Sequence, residues 1–191
     1  MTKILAFSGS ARKDSYNQKL VKIAAVGAEK AGAEVTLINL ADFPMPIFNQ
    51  DLESASGLPA EARAFKNLLI EHDGFLIASP EYNSAFSPLL KNAIDWATRR
   101  EGDEAPLLAY KGKVAAIMSA SPGVLGGLRG LVFLRLMLSN IGVTVLANQQ
   151  AVPGAAQAFD AEGALLDPQM QGNIVNIGVE LSETLRKLRT P

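Results

Sequence analysis

A chain of 191 residues, 48% of them hydrophobic and with a formal net charge of −1, can build one sizeable core and carries too little charge for general affinity to nucleic acid or acidic membranes. It has no cysteine, which excludes disulfides, thiolate metal sites and cysteine nucleophiles, and its single histidine, His72, excludes a histidine metal cluster. No apolar run approaches the ~20 residues of a membrane span, and the N-terminus lacks a signal-peptide layout, so a cytoplasmic protein is expected.

The first predicted strand, residues 3–8, is almost wholly apolar, as a strand buried on both faces requires. A small polar loop follows, Ser8 to Asn17, and then a helix with Ser15 and Gln18 as a capping box. Leu20, Ile23, Ala24 and Ala28 form its apolar stripe, and Gly32 is its stop. Residues 34–40 read as the second strand. Two prolines make 43–51 irregular, with Met45, Ile47 and Phe48 lining either a pocket, an interface or the loop's own core. A helix is predicted over 59–70, with Ala62, Phe65, Leu68 and Leu69 inward, and a third strand over 74–79. Pro80-Glu81-Tyr82-Asn83-Ser84 forms a second loop. Ser87-Pro88 then starts a helix that runs to Ala97. Residues 113–119 are the fourth strand, and the small residues of 120–127 form a third loop. A helix over 128–140 leads to a fifth strand over 143–146. Residues 147–166 read as loop. The last helix begins at Asp167-Pro168 and carries Met170, Ile174, Ile177, Leu181, Leu185 and Leu188 on one face.

Strands alternating with helices predict one domain over residues 1–191: an α/β/α sandwich on a five-stranded parallel sheet, order 2-1-3-4-5. Ligands of such sheets bind beyond the carboxyl ends of the strands, near the switch in strand order, and all three unusual loops fall there. In the first loop Ser8, Ser10, Ser15 and Asn17 can donate to phosphate oxygens while Arg12 supplies charge, each charge-assisted bond contributing ~1.5–3 kcal/mol. An ordinary turn rich in capping residues is the alternative. The loop has neither a P-loop nor a G-x-G-x-x-G pattern. The second loop offers Tyr82, Asn83 and backbone N–H groups to a flat heteroaromatic ring, or else is a turn with Asn83 as a local cap. Glu81 is a further acid or base with no visible partner. In the third loop Ser121, Gly123, Gly126 and Gly127 permit close backbone approach to a ligand, or else form simply a flexible turn. His72 is expected to be structural, Trp96 to lie in core or interface, and residues 101–104 to be a solvated acidic loop. No metal constellation is visible.

Gly9-Ser10-x-Arg12-x-x-Ser15-x-Asn17-x-x-Leu20, Pro80-Glu81-Tyr82-Asn83, the helix Leu90-Lys91-Asn92-Ala93-Ile94-Asp95-Trp96, and Ser119-Ala120-Ser121-Pro122-Gly123 with Gly126-Gly127 occur in this order. Together they resemble the NADPH-dependent FMN reductase family, the flavodoxin-like group that includes bacterial quinone, chromate and azo-dye reductases. The resemblance implies non-covalent FMN. Its phosphate would lie on Ser10, Arg12, Ser15 and Asn17. Its ring would be bordered by Pro80, Glu81, Tyr82 and Asn83, largely through backbone groups, and Ser119, Ser121 and Gly123 would approach the ring or the ribityl chain. It implies ping-pong hydride transfer from NADPH or NADH through the flavin N5 to a quinone or related acceptor, without catalytic side chains, in a homodimer or homotetramer whose sites neighbouring subunits complete. An FMN-binding electron carrier without NAD(P)H turnover is the alternative, and a nucleotide-binding domain without flavin a third reading. Arg12, Arg99 and Arg100 are candidates to meet a 2′-phosphate. Two departures from the family pattern stand out: Ala85-Phe86-Ser87-Pro88 replaces Ser-x-Pro-Gly after the Tyr-Asn pair, and the glutamine frequent after the third-loop arginine is absent beside Arg129.

Overall fold

A computed structural model describes residues 1–189. In chain order the elements are β1 (Lys3–Ser8), α1 (Tyr16–Lys30), β2 (Glu34–Asn39), a 3-10 turn (Leu40–Asp42), α2 (Gln50–Ser56), α3 (Ala60–Glu71), β3 (Gly74–Ala78), β4 (Glu81–Tyr82), β5 (Ala85–Phe86), α4 (Pro88–Ala97), β6 (Val114–Ala120), α5 (Leu128–Asn140), β7 (Thr144–Val145), β8 (Gln150–Val152), α6 (Ala155–Ala158) and α7 (Pro168–Arg189). The main sheet is parallel, in the order β2-β1-β3-β6-β7. This is the predicted 2-1-3-4-5 arrangement.

The three central strands are apolar because both their faces are covered. Ile4, Ala6, Leu76, Ala78, Ala116 and Met118 face α1 and α7. Leu5, Phe7, Phe75, Ile77, Ala115 and Ile117 face α3, α4 and α5. Alternation along each strand thus divides the core into two apolar layers. Between α1 and α7 the backbones come close. A Cβ on Gly27 would lie 2.0 Å from Val175 O, and one on Gly178 would lie 1.9 Å from Ala24 O.

Several expectations need correction. The fifth sheet position is filled by two pieces: β7 pairs with Val114 and Ala115, and β8 with Met118, Ser119 and Ala120. Between them the chain leaves the ladder, and Arg135 of α5 bonds the Val145 and Ala147 carbonyls instead. The segment 147–166 is therefore not simply loop; it holds β8 and α6. The second strand stops at Asn39, whose side chain accepts from Ala41 N–H and turns the chain into the 3-10 turn. A short α2 was not anticipated; Asn49 caps it by accepting from Asp51 N–H (2.8 Å). Leu68 is only half-buried, and Leu188, at the end of α7, is 69% exposed rather than packed.

The 43–51 stretch divides between the alternatives. Met45 and Phe48 pack around the fully buried Trp96, whose indole N–H donates to Pro46 O (2.7 Å), while Ile47 is exposed. The acidic loop is not simply solvated either. Glu104 pairs with Lys66, a lysine buried in α3 that also donates to Arg99 O, and Glu101 pairs with Arg63. His72 is buried as expected, its ring nitrogens meeting Leu68 O (2.6 Å) and Thr36 Oγ1 (2.8 Å). No helix is long and apolar enough to cross a membrane among the described residues.

Candidate functional site

The first loop is pressed against two neighbours. Gly9 N–H donates to Ala78 O at the end of β3 (2.8 Å), and Gly9 O accepts from Ser87 Oγ. Ser87 also caps α4 by accepting from Leu90 N–H (3.2 Å). A Cβ on Gly9 would lie 2.9 Å from Ser87 Oγ, so a larger residue would push the loop away from α4. At the start of α1, Ser15 Oγ accepts from Gln18 N–H (3.3 Å). Only that half of the capping box forms. The Gln18 carboxamide donates instead to Ser10 O (2.8 Å) and Asn39 Oδ1 (3.2 Å), bracing the loop against the end of β2.

The three loops meet in a cleft of about 260 Å³. The first contributes Ser10, Arg12, Ser15, Tyr16 and Asn17; the second Pro80, Glu81 and Tyr82; the third Ala120, Ser121 and Pro122. A larger groove of about 420 Å³, rimmed by Lys19, Lys22 and Lys30, runs between α1 and the segment before and within α7. The smaller cleft is the better candidate because it gathers all three strand-end loops at the switch point between β1 and β3.

Asn17 does more than line the cleft. It is buried, and its carboxamide forms a reciprocal pair with Ala120: Nδ2 donates to Ala120 O and Oδ1 accepts from Ala120 N–H, both at 2.9 Å. The side chain thus ties the first loop to the third. One Nδ2 hydrogen remains for any ligand.

The second loop is a hairpin. β4 and β5 pair antiparallel, and Asn83 (φ 51°) and Ser84 (φ 70°) form the turn in the left-handed region. Such a two-residue turn suits the strand twist, and asparagine tolerates it well. Asn83 is exposed at the hairpin tip, outside the cleft lining. Glu81 points its carboxylate toward α5, accepting from Gly130 N–H (3.0 Å) and from Arg129 Nη2 (2.8 Å). It supplies the cap that Gly127, at the N-cap position, cannot. The carboxylate thereby holds the hairpin against α5.

Burial of Glu81 disfavours its charge, but the N–H groups of Gly130 and Arg129 and the Arg129 guanidinium outweigh it, so its pKa lies below the ordinary glutamate value. A depressed folded pKa means stability that is present above the unfolded value and lost as pH falls through the folded one. Glu81→Gln is therefore expected to lower the melting temperature at pH 7 by the loss of about 1 kcal/mol of charge-assisted bonding. The gap to the parent protein should close on acidification below the ordinary glutamate range. Parallel melting curves that never converge would contradict this role.

In the third loop Ser121 lies in the cleft, with Oγ accepting from Gly123 N–H (3.4 Å). Gly123 is exposed and outside the lining; its carbonyl accepts from Gly126 N–H (3.1 Å) and shapes the turn. Ser119 is fully buried, its hydroxyl packed against Gly127 without a hydrogen-bond partner among the described residues. Tyr16, Ala120 and Pro122 join the cleft without having been singled out. Tyr16 directly follows the N-cap Ser15 as the first residue of α1. Arg99 and Arg100 lie beyond the C-terminal end of α4 and outside the cleft lining, where Arg99 pairs with Glu53 (2.7 Å) and Arg100 bonds Glu104 O (2.8 Å).

The arrangement suits a phosphate. The first N–H groups of a helix have no intrahelical acceptor, and no acidic residue occupies the first turn of α1. Ser10 and Ser15 hydroxyls and the exposed Arg12 guanidinium complete a donor set with no carboxylate turned into the cleft.

Comparison with known proteins identifies the family. The sequence model of the NADPH-dependent FMN reductase family matches residues 2–157. An NAD(P)H-dependent FMN reductase of Pseudomonas aeruginosa is 36% identical over 188 residues, covering 98% of this chain and 97% of that protein. An NADPH:quinone oxidoreductase of Arabidopsis thaliana is 38% identical over 176 residues, covering 87% of this chain and 83% of that protein. Among solved structures, the flavoenzyme NAD(P)H:acceptor oxidoreductase FerB of Paracoccus denitrificans superposes with a TM-score of 0.82 at 30% identity, covering 98% of both chains. An archaeal flavodoxin shares the fold at 10% identity, with a TM-score of 0.63 over 97% of this chain and 99% of that one. From its matched motifs, its flavodoxin-like fold and these full-length similarities, the chain belongs to the NADPH-dependent FMN reductase family.

Proposed function

We propose that the cleft beyond β1, β3 and β6 is where this FMN-dependent NAD(P)H oxidoreductase holds its cofactor. On this reading Ser10, Arg12, Ser15 and the start of α1 bind the phosphate, with Asn17 contributing its spare hydrogen. The backbone of Pro80, Glu81 and Tyr82 borders the ring, and Ser121 approaches it from the other side. Asn83 shapes the hairpin, while Ser119 and Gly123 set the path of the third loop. The observation that carries the reading is the meeting of three loops, distant in sequence, around a helix whose first turn holds no acidic residue.

When bound, FMN supplies reversible hydride chemistry at N5 between NAD(P)H and an acceptor, which no side chain of this protein can provide. The chain binds, orients and excludes. Arg12 offsets the phosphate charge, and the clasp from Asn17 to Ala120 holds the first and third loops in register. Tyr82, 54% exposed, forms the outer rim and leaves room for a second flat molecule, first the nicotinamide and then a quinone-like acceptor. Free flavin, azo dyes and chromate are further acceptors of this class. The carrier reading, FMN without NAD(P)H turnover, is not favoured, because the matched family and the similar proteins are reductases.

We further propose a homodimer or homotetramer. Leu128, Val132 and Leu136 form an exposed apolar stripe along α5, widened by Phe133, and Val124 and Leu125 continue it beside the third loop. A second copy over this stripe would shield the open side of the cleft. The cytoplasm is the expected location, since NAD(P)H is an intracellular reductant.

The purified protein should be yellow, oxidise NADPH when a quinone is present, and sediment above its monomer mass. A colourless protein that takes up no added FMN would remove the cofactor assignment to this cleft. A yellow protein that NADPH cannot bleach without oxygen would revive the carrier reading.

A further inference from the structure

We propose that Tyr16 and Phe159 form an aromatic platform that orients the Arg12 guanidinium at the cleft, so that the segment after β8 sets the preference for FMN over riboflavin. The proposal rests on the assignment of Arg12 to the cofactor phosphate. The Arg12 guanidinium carbon lies 4.9 Å from the Tyr16 ring centroid, and its side chain has no ion-pair partner among the described residues. A guanidinium held over a ring face in this way still has N–H groups to offer to a planar or tetrahedral anion. Tyr16 is itself stacked on Phe159, with centroids 6.0 Å apart and ring planes 6° from parallel.

Phe159 is not held by chance packing. It forms a β-bridge with Leu165, and Asp160 closes the turn by donating its N–H to Ala164 O (2.9 Å) and accepting from Ala164 N–H (2.8 Å). Lys19, one turn into α1, places its ammonium 5.6 Å from the Phe159 ring, and its stem runs beside Gly163. The turn after α6 therefore buttresses the start of α1 at the residue that carries Arg12. Ordering an exposed arginine costs rotamer entropy, and a platform that orders it before the ligand arrives reduces that cost at binding.

The test titrates cofactor-free protein with FMN and, separately, with riboflavin, following flavin fluorescence. Arg12→Leu should weaken FMN about tenfold and leave riboflavin unchanged, because only the phosphate is addressed. Phe159→Leu, at a partly exposed position, should weaken FMN alone by about two- to fivefold. Tyr16→Leu should do the same and Tyr16→Phe should not. Phe159→Leu should add nothing in an Arg12→Leu background. If Arg12→Leu lowers FMN affinity selectively but Phe159→Leu and Tyr16→Leu do not, the platform is refuted and the phosphate assignment stands. If Arg12→Leu spares the FMN-to-riboflavin ratio, the assignment falls and the platform with it. Equal loss of both flavins on Phe159→Leu would make Phe159 merely structural and overturn the proposal.

Discussion

Gly178→Ala is expected to destabilise the protein, although alanine is the better helix former by about 1 kcal/mol. Gly178 sits inside α7 where its missing side chain lets α1 approach. A Cβ there would stand 1.9 Å from Ala24 O and 2.7 Å from Ala28 N. Both obstacles are backbone, so no rotamer change relieves the overlap. The helices must separate, and Ile174, Ile177 and Leu181 lose packing against Leu20, Ala24 and Ala28. Overpacking of this kind costs about 3 kcal/mol. It exceeds the propensity gain and lowers the melting temperature by several degrees, at about 2–4 °C per kcal/mol for a chain of this size. Gly172, six residues earlier in α7, is exposed with nothing near its Cβ position. Gly172→Ala should therefore raise the melting temperature. Two glycines of one helix, given the same substitution, are predicted to respond with opposite signs. A rise in both would show that the close approach is not what Gly178 is for.

Asn17→Asp is expected to cost most of the FMN affinity while leaving the protein folded. The carboxylate can still accept from Ala120 N–H, but its second oxygen would face Ala120 O with no proton between them. The helix start favours a negative charge there by about 0.3–1 kcal/mol, which offsets part of that loss. A phosphate in the same cleft meets a like charge instead, at a few kcal/mol for charges ~4 Å apart near a protein surface. Affinity for FMN should fall about a hundredfold, with riboflavin affected less. Asn17→Leu separates the two effects. It breaks the clasp and removes the spare donor without adding charge, so it should weaken both flavins, FMN somewhat more than riboflavin but less than Asn17→Asp weakens FMN. Measured dissociation constants that are unchanged for Asn17→Asp would remove Asn17 from the phosphate region.

The sheet order was legible because each central strand is a short apolar run bounded by small polar residues, and the crossovers leave few topologies. The three loops were legible as a group for the same reason, since strand order alone brings their starts together. Within them the reading was less complete. Asn17 reads from sequence as a donor to a ligand, and the structure spends its Oδ1 and one Nδ2 hydrogen on Ala120, leaving one hydrogen open. Glu81 was a carboxylate without a partner, and its partners lie on α5. Asn83, Ser119 and Gly123 share the loops without sharing the cleft. The fifth strand was foreseen only in its first piece, because the signal for β8 is three residues long and its partner is the far end of β6.

What the sequence by itself determined is what local chemistry encodes. Strand and helix periods, caps at Ser15 and Ser87, the stop at Gly32 and the small-residue loops each depend on neighbours within a few positions. They define the layered sheet, the end of it at which the three loops meet, and the family. Only the tertiary structure decided which polar atoms of those loops are spent on the protein and which stay open to a ligand. It alone joined Phe159 to Tyr16, Ala120 to Asn17, and Gly178 to Ala24. Each of these is a contact between residues far apart in the chain. Their direction is set by how the layers pack, and no short stretch of sequence carries it.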